Sequence, residues 1–314
     1  MPENAGAAPP LIIWIHGGGW ANGDKRKINP AVIGLSGDGY AVASLNYRLQ
    51  GLSSHPAQIH DVKGAVRWLR ANAKSYGYDA NRVAVGGGSA GGHLALLLGL
   101  SADDKYLEGE VGGNLSQSSS VQAVINMFGP SALQDYADVS RRFRKNKGSD
   151  PVLLKSASPL TYLNSEAPPL LIVHGGQDKV VPVSQSINLH RDYQQAGLDS
   201  TLHVIEGAGH GGKLFTDLSL QRMMKKFLDS HVKQRNVEQS KVLNLAGKPV
   251  VSHGLSNQKK TSDIDSRQNT PALHGFHWII GPRSGLAGSE KKFNRLLREI
   301  EQTLSTNSLI SGVY

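Results

Sequence analysis

The chain has 314 residues, of which 34 are Lys or Arg, 25 are Asp or Glu and none is Cys. This length is enough for one large α/β domain or two small ones with a buried core. The absence of cysteine excludes disulfide scaffolds, thiolate zinc sites and cysteine-nucleophile hydrolases. The net charge of +9 is not gathered into a basic helix interleaved with aromatic residues, so we expect no nucleic-acid partner.

Hydropathy gives no sign of a membrane partner, because no apolar run approaches the ~18 residues that cross a bilayer. The first ten residues, MPENAGAAPP, lack the basic start and the apolar stretch of a signal peptide. A cytoplasmic location is therefore the default expectation, although the compartment and the oligomeric state stay open.

Short apolar runs alternate with segments of helical period from residue 11 to about residue 234. Strands are predicted at Leu11–His16, Tyr40–Tyr47, Arg82–Gly86, Val121–Phe128, Pro169–His174 and Thr201–Ile205. Helices are predicted at Pro56–Lys74, Ala90–Leu100, Ser184–Ala196 and Leu214–Val232. Strands separated by helices favour βαβ units, so the sequence predicts an α/β fold with a mostly parallel sheet and helices on both faces.

Two segments interrupt this alternation. Residues 129–166 are too long for a plain connection, so we expect them to contain a helix and a small lid over the sheet. Residues 235–314 are rich in Ser, Asn, Gln and Lys, which favours a mostly irregular tail. An apolar stripe of helical period within it predicts an amphipathic helix near residues 291–304. The predicted division is thus a folded domain over residues 1–234 and a tail over residues 235–314.

The sequence Gly87-Gly88-Ser89-Ala90-Gly91 lies between a predicted strand and a predicted helix. This is the setting of a nucleophile elbow, in which a sharp turn raises the serine hydroxyl above the sheet. Small residues on either side of Ser89 let the strand and helix backbones approach each other. The first N–H groups of the helix, including that of Ala90, point toward any negative charge that develops there.

A second glycine-rich sequence, His16-Gly17-Gly18-Gly19-Trp20, follows the first predicted strand. Its glycines leave backbone N–H groups open to a substrate oxygen, so Gly18 and Gly19 are predicted to form an oxyanion hole together with Ala90. We expect His16 to brace this loop by hydrogen bonding. Trp20 is predicted to line the substrate pocket.

A serine nucleophile needs a base, and the base needs a group that orients it. Asp178 follows the strand Pro169–His174, and His210 follows the strand Thr201–Ile205. Open α/β sheets place their sites at the carboxyl ends of strands. The chain order Ser89, Asp178, His210 is also the order of the α/β-hydrolase triad.

Other chemistries have less support in the sequence. There is no His-Glu-x-x-His or tight histidine cluster, and the glycine-rich turn around Ser89 lacks the Gly-Lys-Ser/Thr ending of a phosphate loop. The metal-site and nucleotide-site interpretations are therefore set aside.

Together these motifs resemble the α/β-hydrolase esterases of the HGGGW type, most of all the bifunctional feruloyl and acetyl-xylan esterase-like group related to hormone-sensitive lipase. The segments that carry the resemblance are LIIWIHGGGWANGDK, YAVASLNYRL, HPAQIHDVKGAVRWLRANAKSYGYDANRVAVGGGSAGGHLA, SASPLTYL, LLIVHGGQDKVVP and GAGHGG, within about residues 10–234. The resemblance implies an α/β-hydrolase fold and ester hydrolysis through an acyl-enzyme, without a metal or an organic cofactor. It implies Ser89 as nucleophile, His210 as general base and Asp178 as the orienting carboxylate.

The chain departs from this family before the first motif. Such domains usually begin with an antiparallel hairpin and further strands, whereas here the HGGGW strand starts about ten residues into the chain. We therefore expect a sheet without those strands, in which Tyr40–Tyr47 is an edge strand with unpaired backbone groups. The same departure leaves open whether the chain is truncated at its N-terminus and, since related esterases are often secreted, whether a signal preceded it.

The sequence thus predicts a serine carboxylic ester hydrolase. The resemblance implies short-acyl or feruloyl esters, including those of plant polysaccharide, as substrates. Two alternatives stay open at this point. One is an enzyme of the same fold acting on another bond, an arylformamidase or a serine aminopeptidase. The other is a non-catalytic binding protein on the hydrolase fold.

Overall fold

The computed structural model describes residues 8–135 and 150–233 together with the backbone of residues 276–280. Seven strands form one sheet: β1 (Pro10–Ile15), β2 (Ala41–Leu45), β3 (Asp79–Gly88), β4 (Ala123–Met127), β5 (Leu170–Gly175), β6 (Ser200–Ile205) and β7 (Phe276–Ile280). The spatial order is β6-β5-β4-β3-β1-β2-β7, and β1 to β6 are parallel. The predicted mostly parallel sheet is confirmed.

The helices lie between the strands along the chain. Their bounds are α1 (Pro30–Gly34), α2 (Ala57–Tyr76), α3 (Ala90–Leu100), α4 (Lys105–Glu108), α5 (Pro151–Ser156), α6 (Ser184–Gln195) and α7 (Leu218–Leu228). No helix among these described residues is both long and apolar enough to span a membrane.

Two apolar clusters cover the two faces of the sheet. Along β1, Ile13 packs in a cluster with residues of α2, α3 and α6, while Trp14 packs in a cluster with residues of α1 and α7. Because successive side chains of a strand point to opposite faces, this alternation places helices on both sides of the sheet. Every residue of α3 is buried, so the helix that follows Ser89 is held firmly in the core.

The edge of the sheet beside β2 differs from the prediction. β2 pairs antiparallel with β7, with Val42 opposite Ile280 and Ser44 opposite Trp278. The expectation that the strand within Tyr40–Tyr47 has an unpaired edge was therefore wrong. The unpaired backbone groups of an edge strand can form hydrogen bonds with any extended segment that reaches them. A pairing partner more than 200 residues away in the chain leaves no local signal in the sequence.

The two irregular regions are described only in part. Within the predicted lid, 129–166, the structure contains α5 and a 3₁₀ turn at Pro159–Tyr162, while residues 136–149 lie outside the described residues. Within the predicted tail, 235–314, the five residues of β7 are a strand rather than irregular chain. The helix predicted at 291–304 lies outside the described residues, as does the remainder of the tail.

Candidate active site

Ser89 occupies a strained turn between β3 and α3. Its backbone has φ 54° and ψ −122°, a combination that a residue with a side chain adopts only when its surroundings force it. The neighbouring strand β4 stabilises this turn, because the Ser89 amide donates a hydrogen bond of 2.9 Å to the carbonyl of Met127. The serine predicted at an elbow is thus found in one.

The glycines on either side of Ser89 are required by close packing. A Cβ atom at Gly91 would lie 2.0 Å from the carbonyl oxygen of Ile15, and one at Gly87 would lie 2.4 Å from backbone atoms of Gly91. Both distances are shorter than any real Cβ contact. Only glycine at these positions lets β3, α3 and the end of β1 come this close together.

Ser89, His210 and Asp178 form one continuous chain of hydrogen bonds. The Oγ of Ser89 lies 2.8 Å from Nε2 of His210, and Nδ1 of His210 lies 2.7 Å from Oδ2 of Asp178. The Asp178 side chain is fully buried, whereas that of His210 is 19% exposed. The structure therefore brings together three residues that are far apart in the sequence, with the imidazole between the hydroxyl and the carboxylate.

Asp178 is surrounded by hydrogen-bond donors. Its Oδ1 accepts from the amides of Val180 at 2.7 Å and Val181 at 2.9 Å. Its Oδ2 receives His210 and also lies 3.2 Å from Nε2 of His174. Burial by itself would raise the pKa of Asp178, but the hydrogen bonds from the two histidines and the two amides outweigh it and hold that pKa well below its usual range. The carboxylate is therefore ionised at neutral pH.

The HGGGW loop lies beside the serine. Gly18 and Gly19 adopt positive φ angles of 118° and 58°, and both line the same cavity as Ser89. Ala90 is the first residue of α3, so its N–H has no acceptor within the helix. The three residues predicted to form the oxyanion hole thus come from the loop and the helix that border the serine.

His16 braces this loop, as predicted. Its Nδ1 lies 2.8 Å from the carbonyl oxygen of Gly17, and its ring stacks on Tyr47 with 4.5 Å between centroids. The Tyr47 hydroxyl donates to the carbonyl of His16 at 3.2 Å. Burial is the main cause that lowers the pKa of His16, so the ring stays neutral at pH 7.

Trp20 differs from the prediction that it lines the pocket. It is only 3% exposed and is not among the residues that line the cavity. Its indole N–H donates to Nδ1 of His93 at 3.1 Å, and Nε2 of His93 lies 2.7 Å from the carbonyl oxygen of Ala157. A large apolar ring with one donor gains most where it is buried and that donor is paired, and here the pairing links the HGGGW loop to α3.

The cavity above Ser89 has a volume of about 630 Å³, which falls in the usual range for small-molecule sites. Lys27 is the only permanently charged side chain among the described residues that line it. The lining residues are Trp14, His16, Gly17, Gly18, Gly19, Lys27, Ile28, Asn29, Pro30, Gly88, Ser89, Phe128, Val180, His210 and Thr216.

The sequence reasoning missed Phe128. It has a positive φ of 43° at the end of β4, and its ring makes edge-to-face contacts with His210 at 4.8 Å and with Phe215 at 4.7 Å. These contacts restrict the orientation of the His210 ring. Its position at the carboxyl end of a predicted strand, where α/β sheets carry their sites, was the signal that could have identified it.

Among the residues that the structure describes, no three His, Asp or Glu side chains are grouped closely enough to hold a metal ion.

Comparison with known proteins identifies the family. The model of the BD-FAE family matches residues 1–193. The chain belongs to this family. The match agrees with the resemblance carried by the HGGGW and GGSAG motifs.

Two of the curated relatives are esterases of Mycobacterium tuberculosis. Esterase LipC is 33% identical over 214 residues, which cover 64% of this chain and 53% of LipC. Esterase LipQ is 34% identical over 202 residues, which cover 61% of this chain and 47% of LipQ. The chain thus spans about half the length of these relatives.

Solved structures agree with the fold. A truncated carbohydrate esterase from gut microbiota has a TM-score of 0.67 and 31% identity, covering 74% of this chain and 88% of that one. An acetyl ester-xyloside bifunctional hydrolase from Caldicellulosiruptor lactoaceticus has a TM-score of 0.63 and 28% identity, and the match covers 72% of this chain and 85% of that hydrolase. Together with the sheet topology, these matches confirm the predicted α/β-hydrolase fold.

The packing at the elbow gives a direct test by mutation. Gly91→Ala places a methyl group against the Ile15 carbonyl, so we expect it to lower the free energy of unfolding by about 3 kcal/mol. Gly51→Ala is the matched control, because a Cβ at Gly51 has nothing within 4 Å and should change stability by less than about 0.5 kcal/mol. Urea unfolding followed by circular dichroism measures both, and equal stabilities for the two variants would contradict the close approach.

Proposed function

We propose that this protein is a serine carboxylic ester hydrolase that acts through an acyl-enzyme. The observation that carries the proposal is the chain of hydrogen bonds from the Ser89 hydroxyl through His210 to the buried Asp178 carboxylate, with distances of 2.8 and 2.7 Å. A hydroxyl, an imidazole and a carboxylate in this arrangement can activate the serine for attack on a carbonyl carbon. Esterases among the relatives support the same reading.

In this proposal His210 moves the proton in both half-reactions. Nε2 of His210 takes the Ser89 proton as Oγ attacks the ester carbonyl, and the protonated ring then gives that proton to the departing alcohol. Water enters, loses a proton to His210 and attacks the acyl group. The same proton returns to Ser89 as the carboxylic acid leaves. The ionised Asp178 stabilises the His210 ring while that ring carries two protons and a positive charge.

The negative oxygen of each tetrahedral intermediate would be bound by the backbone N–H groups of Gly18, Gly19 and Ala90. Support for this assignment is their position on the loop and the helix end beside Ser89. Fixed backbone donors need no reorientation when charge develops, which is why such groups lower the barrier effectively.

The proposed substrate is an ester of a short acyl group or a feruloyl group, with a saccharide or another small alcohol. The apolar side chains of Trp14, Ile28, Phe128 and Val180 in the lining suit the apolar part of such a substrate. Two similar solved structures are a carbohydrate esterase and an acetyl ester-xyloside bifunctional hydrolase, which supports a saccharide ester.

The proposed activity is tested with 4-nitrophenyl acetate and acetylated xylan as substrates. Ser89→Ala should lower kcat by about 10⁴-fold or more, because the nucleophile is lost. Ser116→Ala removes an exposed hydroxyl that is not part of the cavity lining and should retain the parent activity. Stopped assays with an aryl formamide and an aminoacyl anilide, run alongside, identify the bond that is cleaved fastest.

A parent protein that binds these esters but releases no acid, or whose activity survives Ser89→Ala, would overturn the proposal. Binding without turnover is the behaviour of a non-catalytic protein on this fold. Faster cleavage of the formamide or the anilide than of the esters would identify that amide bond, rather than the ester bond, as the one the enzyme acts on.

Lys27 gives a prediction about substrate charge. Lys27 lines the cavity and no acidic residue occurs among the described lining residues, so its positive charge should attract a negatively charged substrate. We therefore expect Lys27→Gln to lower kcat/KM about 3- to 5-fold for a 4-nitrophenyl ester whose acyl chain ends in a carboxylate. The neutral ester of equal length should change less than twofold. Arg26→Gln is the control, since it removes the same charge from an exposed neighbour outside the lining. Equal losses on both esters would contradict this role for Lys27.

A further inference from the structure

We propose that His174 is a positioning residue for Asp178, and that the two acceptors facing its Nε2 keep the proton of His174 on that nitrogen while the Ser186 hydroxyl donates to Nδ1. The inference rests on the proposed function, because it concerns the orientation of the same Asp178 that holds His210. It concerns two residues that lie outside the cavity lining.

His174 is a fully buried polar side chain at the end of β5. Its Nε2 lies 2.9 Å from the carbonyl oxygen of Val181 and 3.2 Å from Oδ2 of Asp178. Its Nδ1 lies 2.6 Å from Oγ of Ser186 on α6. Both ring nitrogens thus have partners, and neither partner of Nε2 can donate a proton.

These partners determine the tautomer of His174. Nε2 faces a carbonyl oxygen and an ionised carboxylate, which are both acceptors, so Nε2 carries the hydrogen. Nδ1 is then an acceptor, and the Ser186 hydroxyl donates to it. Removing the Ser186 hydroxyl leaves both acceptors of Nε2 in place, so this tautomer is retained.

The position of His174 allows it to act through Asp178 on His210. Oδ2 of Asp178 receives Nδ1–H of His210 at 2.7 Å and Nε2–H of His174 at 3.2 Å. Asp178 is the charged group in contact with His174 in the described structure, and His210 shares its oxygen. The other elements around the ring contribute uncharged partners, which are Ser186, the Val181 carbonyl and the edge of the Phe128 ring at 6.4 Å.

Sharing one oxygen has two consequences. The second donor adds to the two amides on Oδ1 in restricting the rotation of the carboxylate, so that Oδ2 stays aimed at His210. It also draws charge from Oδ2, so that the carboxylate holds the protonated His210 ring less tightly. Without the His174 donor, His210 keeps its second proton to higher pH, and the amides on Oδ1 and the His210 ring alone set the rotation of the carboxylate.

The experiment compares kcat, KM and the pH dependence of kcat/KM for the parent protein and three variants. His174→Leu removes the donor, while His174→Gln retains a donor at about the reach of Nε2. Ser186→Ala removes the donor to Nδ1 and leaves both acceptors of Nε2 in place. We expect His174→Leu to lower kcat about 10-fold with little change in KM, and to move the acidic limb of the profile to higher pH. His174→Gln should restore most of kcat, and Ser186→Ala should keep a pH profile close to that of the parent, because its Nε2–H still faces the carboxylate.

Nuclear magnetic resonance of protein labelled with ¹⁵N-histidine reads the tautomer without relying on activity. His174 should carry its proton on Nε2 both in the parent and in Ser186→Ala, because the two acceptors of Nε2 remain. A parent His174 protonated on Nδ1 would overturn the proposal, as would equal losses in the Leu and Gln variants with an unmoved pH profile. A parent with the Nε2–H tautomer but no hydrolysis of any ester would instead count against the proposed function.

Discussion

The site depends on how closely three backbones meet at Ser89. The strained turn there is possible only because β3, α3 and the end of β1 approach within distances that exclude a Cβ at Gly87 and Gly91. The fully buried helix α3 and the hydrogen bond from the Ser89 amide to Met127 offset the cost of the unfavourable φ. Core packing thus holds one hydroxyl at the carboxyl edge of the sheet.

The remaining groups reach that hydroxyl because parallel strands end at the same edge. The loop after β1 brings Gly18 and Gly19, the loop after β5 brings Asp178, and the loop after β6 brings His210. Each loop is braced by buried contacts of its own, for example His16 on Tyr47 and His174 on Ser186. The positions of these groups around Ser89 are therefore set by the sheet and by the buried contacts that hold the loops.

The parts of the structure that depend on local pattern were predictable from sequence. Alternation of strands and helices predicted the parallel sheet, and glycine spacing around Ser89 predicted the elbow. Features set by distant contacts were not: the pairing of β2 with β7, the burial of Trp20 against His93, and the place of Phe128 beside His210. Each depends on which segment occupies a space in three dimensions, and neither periodicity nor a short motif carries that information.

The central claim is that Ser89 is activated by His210 in the folded protein. Intact-mass analysis after treatment with a fluorophosphonate, followed by peptide mapping, tests it most directly, because this reagent reacts with activated serines whatever the natural substrate. We expect a single adduct on the Ser89 peptide of the parent, none in Ser89→Ala, and much slower labelling in His210→Gln. A folded parent protein that gains no adduct, or gains it on another residue, would contradict the activation of Ser89 by His210.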